Sequence, residues 1–209
     1  MQTLLTGFGP FGKVVSNPTE RLLAHFAAEG APGQELSFCL LPVSFTCAPP
    51  LLRAAIEKGG RGGQPFDTVL MLGVAARSLH WRVECFGHNY CHPALRDADG
   101  QTAPGRILVP GAPEALPVTL PVTPMLQALQ QIGLPAALSN TAGAYLCNVA
   151  LFTALLHLQA TGHPAKAGFL HVPADAHTFA DARETRPGFS FAQQAQAVRA
   201  ILDALGSGG

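Results

Sequence analysis

The chain has 209 residues, nearly half of them apolar and 12% charged, with thirteen basic side chains balancing thirteen acidic ones. That length can bury a large core within a single domain. The charge balance argues against a nucleic-acid surface, which needs a basic excess or a basic stripe, and weak self-repulsion is compatible with oligomerisation.

The first residues lack the basic stretch and apolar run of an export signal, and no apolar run approaches a membrane span. A cytoplasmic location is expected, with Cys39, Cys47, Cys85, Cys91 and Cys147 as reduced thiols. Along the chain, short apolar runs alternate with amphipathic ones. This is the pattern of an α/β fold: an open, twisted, mostly parallel sheet with helices on both faces.

Residues 3–6 read as the first strand. Asn17 caps a helix and Pro18 suits its first turn, while Leu22, Leu23 and Phe26 supply its buried face. Between them, Gly7-Phe8-Gly9-Pro10-Phe11-Gly12 spells G-x-G-x-x-G. It does not suit a dinucleotide, because the helix signal begins only at Asn17 and two phenylalanines and a proline crowd the loop. No acid at the end of a second strand is placed for a ribose either. Phe8 and Phe11 read instead as an apolar wall presented by a turn, or as plugs of the core.

Residues 36–43 form a second strand, and a helix starts at Pro49-Pro50. Residues 68–74 (TVLMLGV) are an unbroken apolar run, as in a central strand buried on both faces. From Trp81 to Gly111 the pattern turns irregular, and a long excursion of this kind is usually functional. Cys85 and Cys91, interleaved with His88 and His92, match no common zinc spacing, so no metal is expected. A helix at 124–132, a strand at 136–139, a helix at 146–158, a strand at 167–172 and a helix at 191–205 follow. Residues 1–205 read as a single α/β domain and 206–209 as a flexible tail.

Cys147 falls between a strand and a helix, near the helix start, after the small-residue run Thr141-Ala142-Gly143-Ala144. Free amides and the positive end of the helix dipole would lower its pKa and could bind an oxyanion. His171 lies at the C-terminal end of an apolar strand, the edge where sites assemble in open parallel sheets. It can take the thiol proton and return it to a leaving amine. An acid would orient the imidazole. Glu84, in an otherwise largely apolar stretch, is one choice, and by spacing alone Asp97, Asp99 and Asp175 compete with it.

Taken together these residues resemble the pyroglutamyl peptidase I (pyrrolidone-carboxylate peptidase) family of cysteine peptidases. Thr6-Gly7-Phe8, Pro10-Phe11-Gly12 and Asn17-Pro18 resemble its N-terminal signature. Thr141-Ala142-Gly143 with Cys147-Asn148 resembles its nucleophile motif, and Gly168-Phe169 with His171 and Pro173 its histidine motif. Placing Gly73 on the glycine that ends the family's central strand brings Glu84 onto the catalytic glutamate. The resemblance implies removal of N-terminal pyroglutamate (5-oxoproline) from peptides by Cys147, His171 and Glu84, with no cofactor and as a homotetramer. It also implies that Phe8 and Phe11 sandwich the lactam, with Asn17, Val74, Tyr145 and Leu146 completing the substrate-binding set.

Departures from the family pattern stand at Lys13, Val74, Val83, Cys85 and Ala94. At Ala94 an arginine is common, and Arg96 lies nearby as a candidate substitute. Those departures leave room for a divergent homologue that binds peptide N-termini or small lactams without efficient hydrolysis. A related hydrolase of another blocked amino terminus is a further alternative.

Overall fold

Apolar alternation and helix caps set the elements. The computed structural model describes residues 1–181 and 188–207. The strands are Gln2–Phe8 (β1), Glu35–Leu41 (β2), Thr68–Ala75 (β3), Trp81–Glu84 (β4), Phe86–His88 (β5), Ala115–Pro117 (β6), Ala136–Ser139 (β7) and Lys166–Pro173 (β8). The helices are Pro18–Glu29 (α1), Ala48–Lys58 (α2), Val122–Gln131 (α3), Leu146–Thr161 (α4) and Phe191–Gly206 (α5). Six strands form one sheet in the order β2-β1-β3-β8-β4-β7, and β5 and β6 pair apart from it as a small antiparallel ribbon.

The sheet is parallel from β2 through β8, as the apolar runs imply, and then reverses: β4 lies antiparallel to β8 and parallel to β7. Side chains alternate between the two faces of each strand, so each strand feeds two cores. Leu4, Val69, Met71 and Phe169 meet α2 and α4 on one side. Leu5, Leu70, Leu72, Leu170 and Val172 meet α1, α3 and α5 on the other.

Four expectations need correction. The stretch from Trp81 onward is not irregular at its start, since β4 is an interior strand and β5 and β6 add a ribbon. Only four residues long, with Arg82 and Glu84 alternating between Trp81 and Val83, β4 carries no apolar run to reveal it. The second strand stops at Leu41, short of 43. Helix α4 continues to Thr161, where Gly162 in the left-handed region ends it, a stop that glycine alone takes readily. Helix α5 reaches Gly206, and residues 208–209 of the expected tail lie outside the described residues.

The glycine-rich run after β1 acquires a structural reason. A Cβ on Gly7 would come within 2.9 Å of Leu23 and 3.0 Å of Thr19, so the first glycine permits close packing of α1 on β1. The helix begins only at Pro18, with Asn17 Oδ1 accepting from the Thr19 amide at 3.1 Å. The loop therefore does not aim a helix N-terminus at a phosphate.

Candidate active site

His171 belongs to the odd-numbered face of β8, the face covered by α4. Its register neighbours are Gly73 on β3 and Arg82 on β4. Glu84, fully buried, shares the face of Arg82 two residues away, and its Oε1 lies 2.7 Å from His171 Nδ1. With Nδ1 donating to the carboxylate, Nε2 is left for another partner. Arg82 Nη2 stands 3.1 Å from the same Glu84 oxygen, and Oε2 is buried without a hydrogen-bond partner. The competing acids are occupied elsewhere. Asp97 accepts from the amides of Phe45, Asp99 and Gln101, Asp175 pairs with Arg21 at 2.5 Å, and Asp99 is exposed.

Cys147 is the second residue of α4. The approach needs Gly143, whose φ of 86° is in the region that favours glycine. Tyr145 occupies the N-cap without a side-chain capping bond, which leaves first-turn amides of α4 without a side-chain cap. A Cβ on Gly73 would meet Cys147 Sγ at 2.8 Å and the Phe169 ring at 2.6 Å. The sulfur thus lies over Gly73, one strand away from His171 and on the same face of the sheet.

The expected low thiol pKa is not found. Burial pushes the Cys147 thiol up to about 12 and the charge of Glu84 adds to this, against the opposing pull of its own backbone N–H and of Arg82. The helix end acts in the expected direction, but desolvation outweighs it. A resting thiol, rather than a preformed thiolate, is the consequence.

Phe8, Phe11, Asn17, Val43, Val74, Tyr145, Leu146 and Cys147 line one small pocket beside this group. All six residues named from the sequence as a binding set are therefore brought together around the cysteine. Phe8 is not in a turn: it ends β1, buried at 3% exposure, whereas Phe11 is in the turn and only partly buried. Asn17 lines the pocket while its amide is committed to holding Gly9 O and the cap of α1. Phe11 and Phe45 both contact the Tyr145 ring, at centroid distances of 6.2 and 5.5 Å. Burial, then the charge of Asp97, raises the Tyr145 phenol to about 12, which keeps it a donor to Arg96 O at 2.8 Å.

Sequence reasoning missed Val43, Phe45, Arg82 and the steric role of Gly73. Only the alternation of Arg82 with Glu84 offered a signal. Arg96 contributes through its backbone, since its guanidinium donates to Gly100 O at 2.6 Å, and Ala94 is exposed. Cys91 Sγ lies 3.4 Å from Ala144 O and His88 Nε2 lies 2.8 Å from Asn140 O. Among the described residues no three His, Cys, Asp or Glu side chains are grouped to hold a metal.

A family model described as pyroglutamyl peptidase matches residues 1–206. The pyrrolidone-carboxylate peptidase of Thermococcus onnurineus is 37% identical over 83% of this chain and 84% of its own length. That of Streptomyces coelicolor is 36% identical over 97% of this chain and 91% of its own. A mutant pyrrolidone carboxyl peptidase from the hyperthermophile Pyrococcus furiosus superposes with a TM-score of 0.90 at 30% identity, covering 100% of this chain and 99% of that one.

Proposed function

Because the chain belongs to the pyroglutamyl peptidase family, we propose that it is a cysteine omega-peptidase that removes N-terminal pyroglutamate from peptides, with Cys147 as nucleophile, His171 as base and Glu84 as the acid that orients it. The observation that carries the assignment is the contact of His171 Nδ1 with buried Glu84, on the sheet face where the Cys147 sulfur rests over Gly73.

The lactam ring enters the pocket of Phe8, Phe11, Val43, Val74, Tyr145 and Leu146, where a flat neutral ring gains stacking and desolvation. The open, charged side chain of glutamate would be stranded there. His171 Nε2 accepts the thiol proton as Sγ attacks the pyroglutamyl carbonyl. The raised thiol pKa requires this transfer to accompany attack, so His171 acts as a general base. Amides of the first turn of α4 receive the developing oxyanion. The imidazolium, held by Glu84, protonates the leaving amine, and water then hydrolyses the thioester with His171 again as base.

No cofactor enters these steps. One α/β domain over 1–205, a cytoplasmic location and assembly as a homotetramer belong to the same proposal. Phe38 and Leu40, left exposed on edge strand β2 at 36% and 45%, support assembly. Release of a chromophore from a pyroglutamyl amide, with a glutamyl amide as control, tests the reading. Hydrolysis of the lactam substrate alone is expected. Binding of the pyroglutamyl amide without turnover would instead identify a divergent binding protein.

A further inference from the structure

Arg82 is directly opposite His171 across the β4–β8 pair and two residues before Glu84 on the same face. Its Nη2 makes an ion pair with Glu84 Oε1 at 3.1 Å, sharing that oxygen with His171 Nδ1. The same guanidinium donates to Ser139 Oγ at 2.8 Å and to Thr141 O at 2.5 Å. Ser139 ends β7, and Thr141 lies in the loop that leads to Cys147. Among the polar contacts of the described residues, Arg82 joins the acid to the approach to the nucleophile. A carboxylate buried with one oxygen unpaired requires compensating charge, and Arg82 Nη2 meets it while also bonding Ser139 and Thr141.

We propose that Arg82 is a positioning residue for the peptidase reaction: it neutralises Glu84 between turnovers and ties the acid to the loop that delivers Cys147. This rests on the assignment of Cys147, His171 and Glu84 above. Arg82 acts through Glu84 and the loop and does not line the lactam pocket.

The test combines kinetics with a probe that needs no substrate. Arg82→Met should lower kcat roughly tenfold to a hundredfold, the range of one charged contact. KM should stay within about twofold, as expected of a group that does not bind substrate. In a Glu84→Gln background the same change should add little, since coupled residues are not additive. Arg82→Lys keeps the charge but places its nitrogen one bond short of Nη2, which makes the contacts to Glu84, Ser139 and Thr141, and should fall between wild type and Arg82→Met; it also serves if the methionine variant does not fold.

Alkylation of Cys147 by iodoacetamide, followed by mass mapping, should slow when Arg82 is replaced, because its charge favours the thiolate. This readout holds even if the substrate assignment fails. Equal losses in both backgrounds, a raised KM at unchanged kcat, unaltered alkylation, or a lysine variant indistinguishable from wild type would overturn the proposal.

Discussion

Arg96 shows how little spacing alone fixes the direction of a single side chain. Two residues beyond Ala94, it stood where an extended loop would turn it toward the same side. Instead the guanidinium bonds Gly100 O, and the residue serves the site through its carbonyl, which receives the Tyr145 hydroxyl at 2.8 Å. Arg96→Ala keeps that carbonyl. It should change kcat on a pyroglutamyl amide by less than about threefold, the effect of an exposed charge contact. A loss of tenfold or more would show that the guanidinium reaches the oxyanion after all. By contrast, Cys147 could be picked out by its place near a helix start and His171 by its place at the end of an apolar strand, whereas Glu84 was singled out from Asp97, Asp99 and Asp175 only by the family resemblance. Arg82 was missed although it alternates with Glu84, because a cation on a short strand reads as a solvated face.

The elements that carried long apolar runs were legible. Strands β3 and β8 fall within a residue or two of their expected limits, and helix α1 begins at its expected Asn17 cap. The excursion between β4 and β6 was not legible, because polar side chains acting as backbone substitutes hold it together. Asn148, fully buried in the first turn of α4, accepts from His88 N and donates to His88 O and Tyr90 O, each at 2.8 Å. Asn89 does the same for the turn at Val109 and Ala112. No periodicity encodes such clamps.

Asn148 fixes the excursion to the helix that bears the nucleophile, so its loss should be felt both in stability and in rate. Asn148→Ala strands three backbone groups, each worth about 1–3 kcal/mol when left unsatisfied. A markedly lower Tm is expected, with kcat reduced in the molecules that remain folded. A Tm within a degree or two of wild type, on the scale of ordinary surface changes, would mean that the excursion is held elsewhere.

The whole chain combines a two-faced core with a site assembled at the carboxyl edge of β1, β3 and β8, completed by an acid from the reversed strand β4. Burial of that site has a consequence for the alkaline stability of the molecule. Burial in the fold raises the Cys147 thiol from its ordinary value of 9.0 to about 12. Between those limits the unfolded chain binds fewer protons than the folded one, so stability must fall as pH rises. Tyr145, raised from 10 to about 12, adds to the loss over the upper part of the range. Denaturant unfolding followed from pH 8 upward should show this decline. Cys147→Ser, which does not titrate in that window, should decline less steeply. Parallel curves for the two proteins would mean that the thiol is not desolvated in the fold.

Covalent chemistry at Cys147 is tested most directly by trapping its acyl intermediate. An activated pyroglutamyl ester, mixed with the enzyme and quenched in acid, should leave one pyroglutamyl group on the peptide containing Cys147, as a thioester removable by hydroxylamine. The same treatment of Cys147→Ala should leave no label and release no product. An acyl group on another residue, or turnover that persists in Cys147→Ala, would contradict the assignment of Cys147 as the nucleophile.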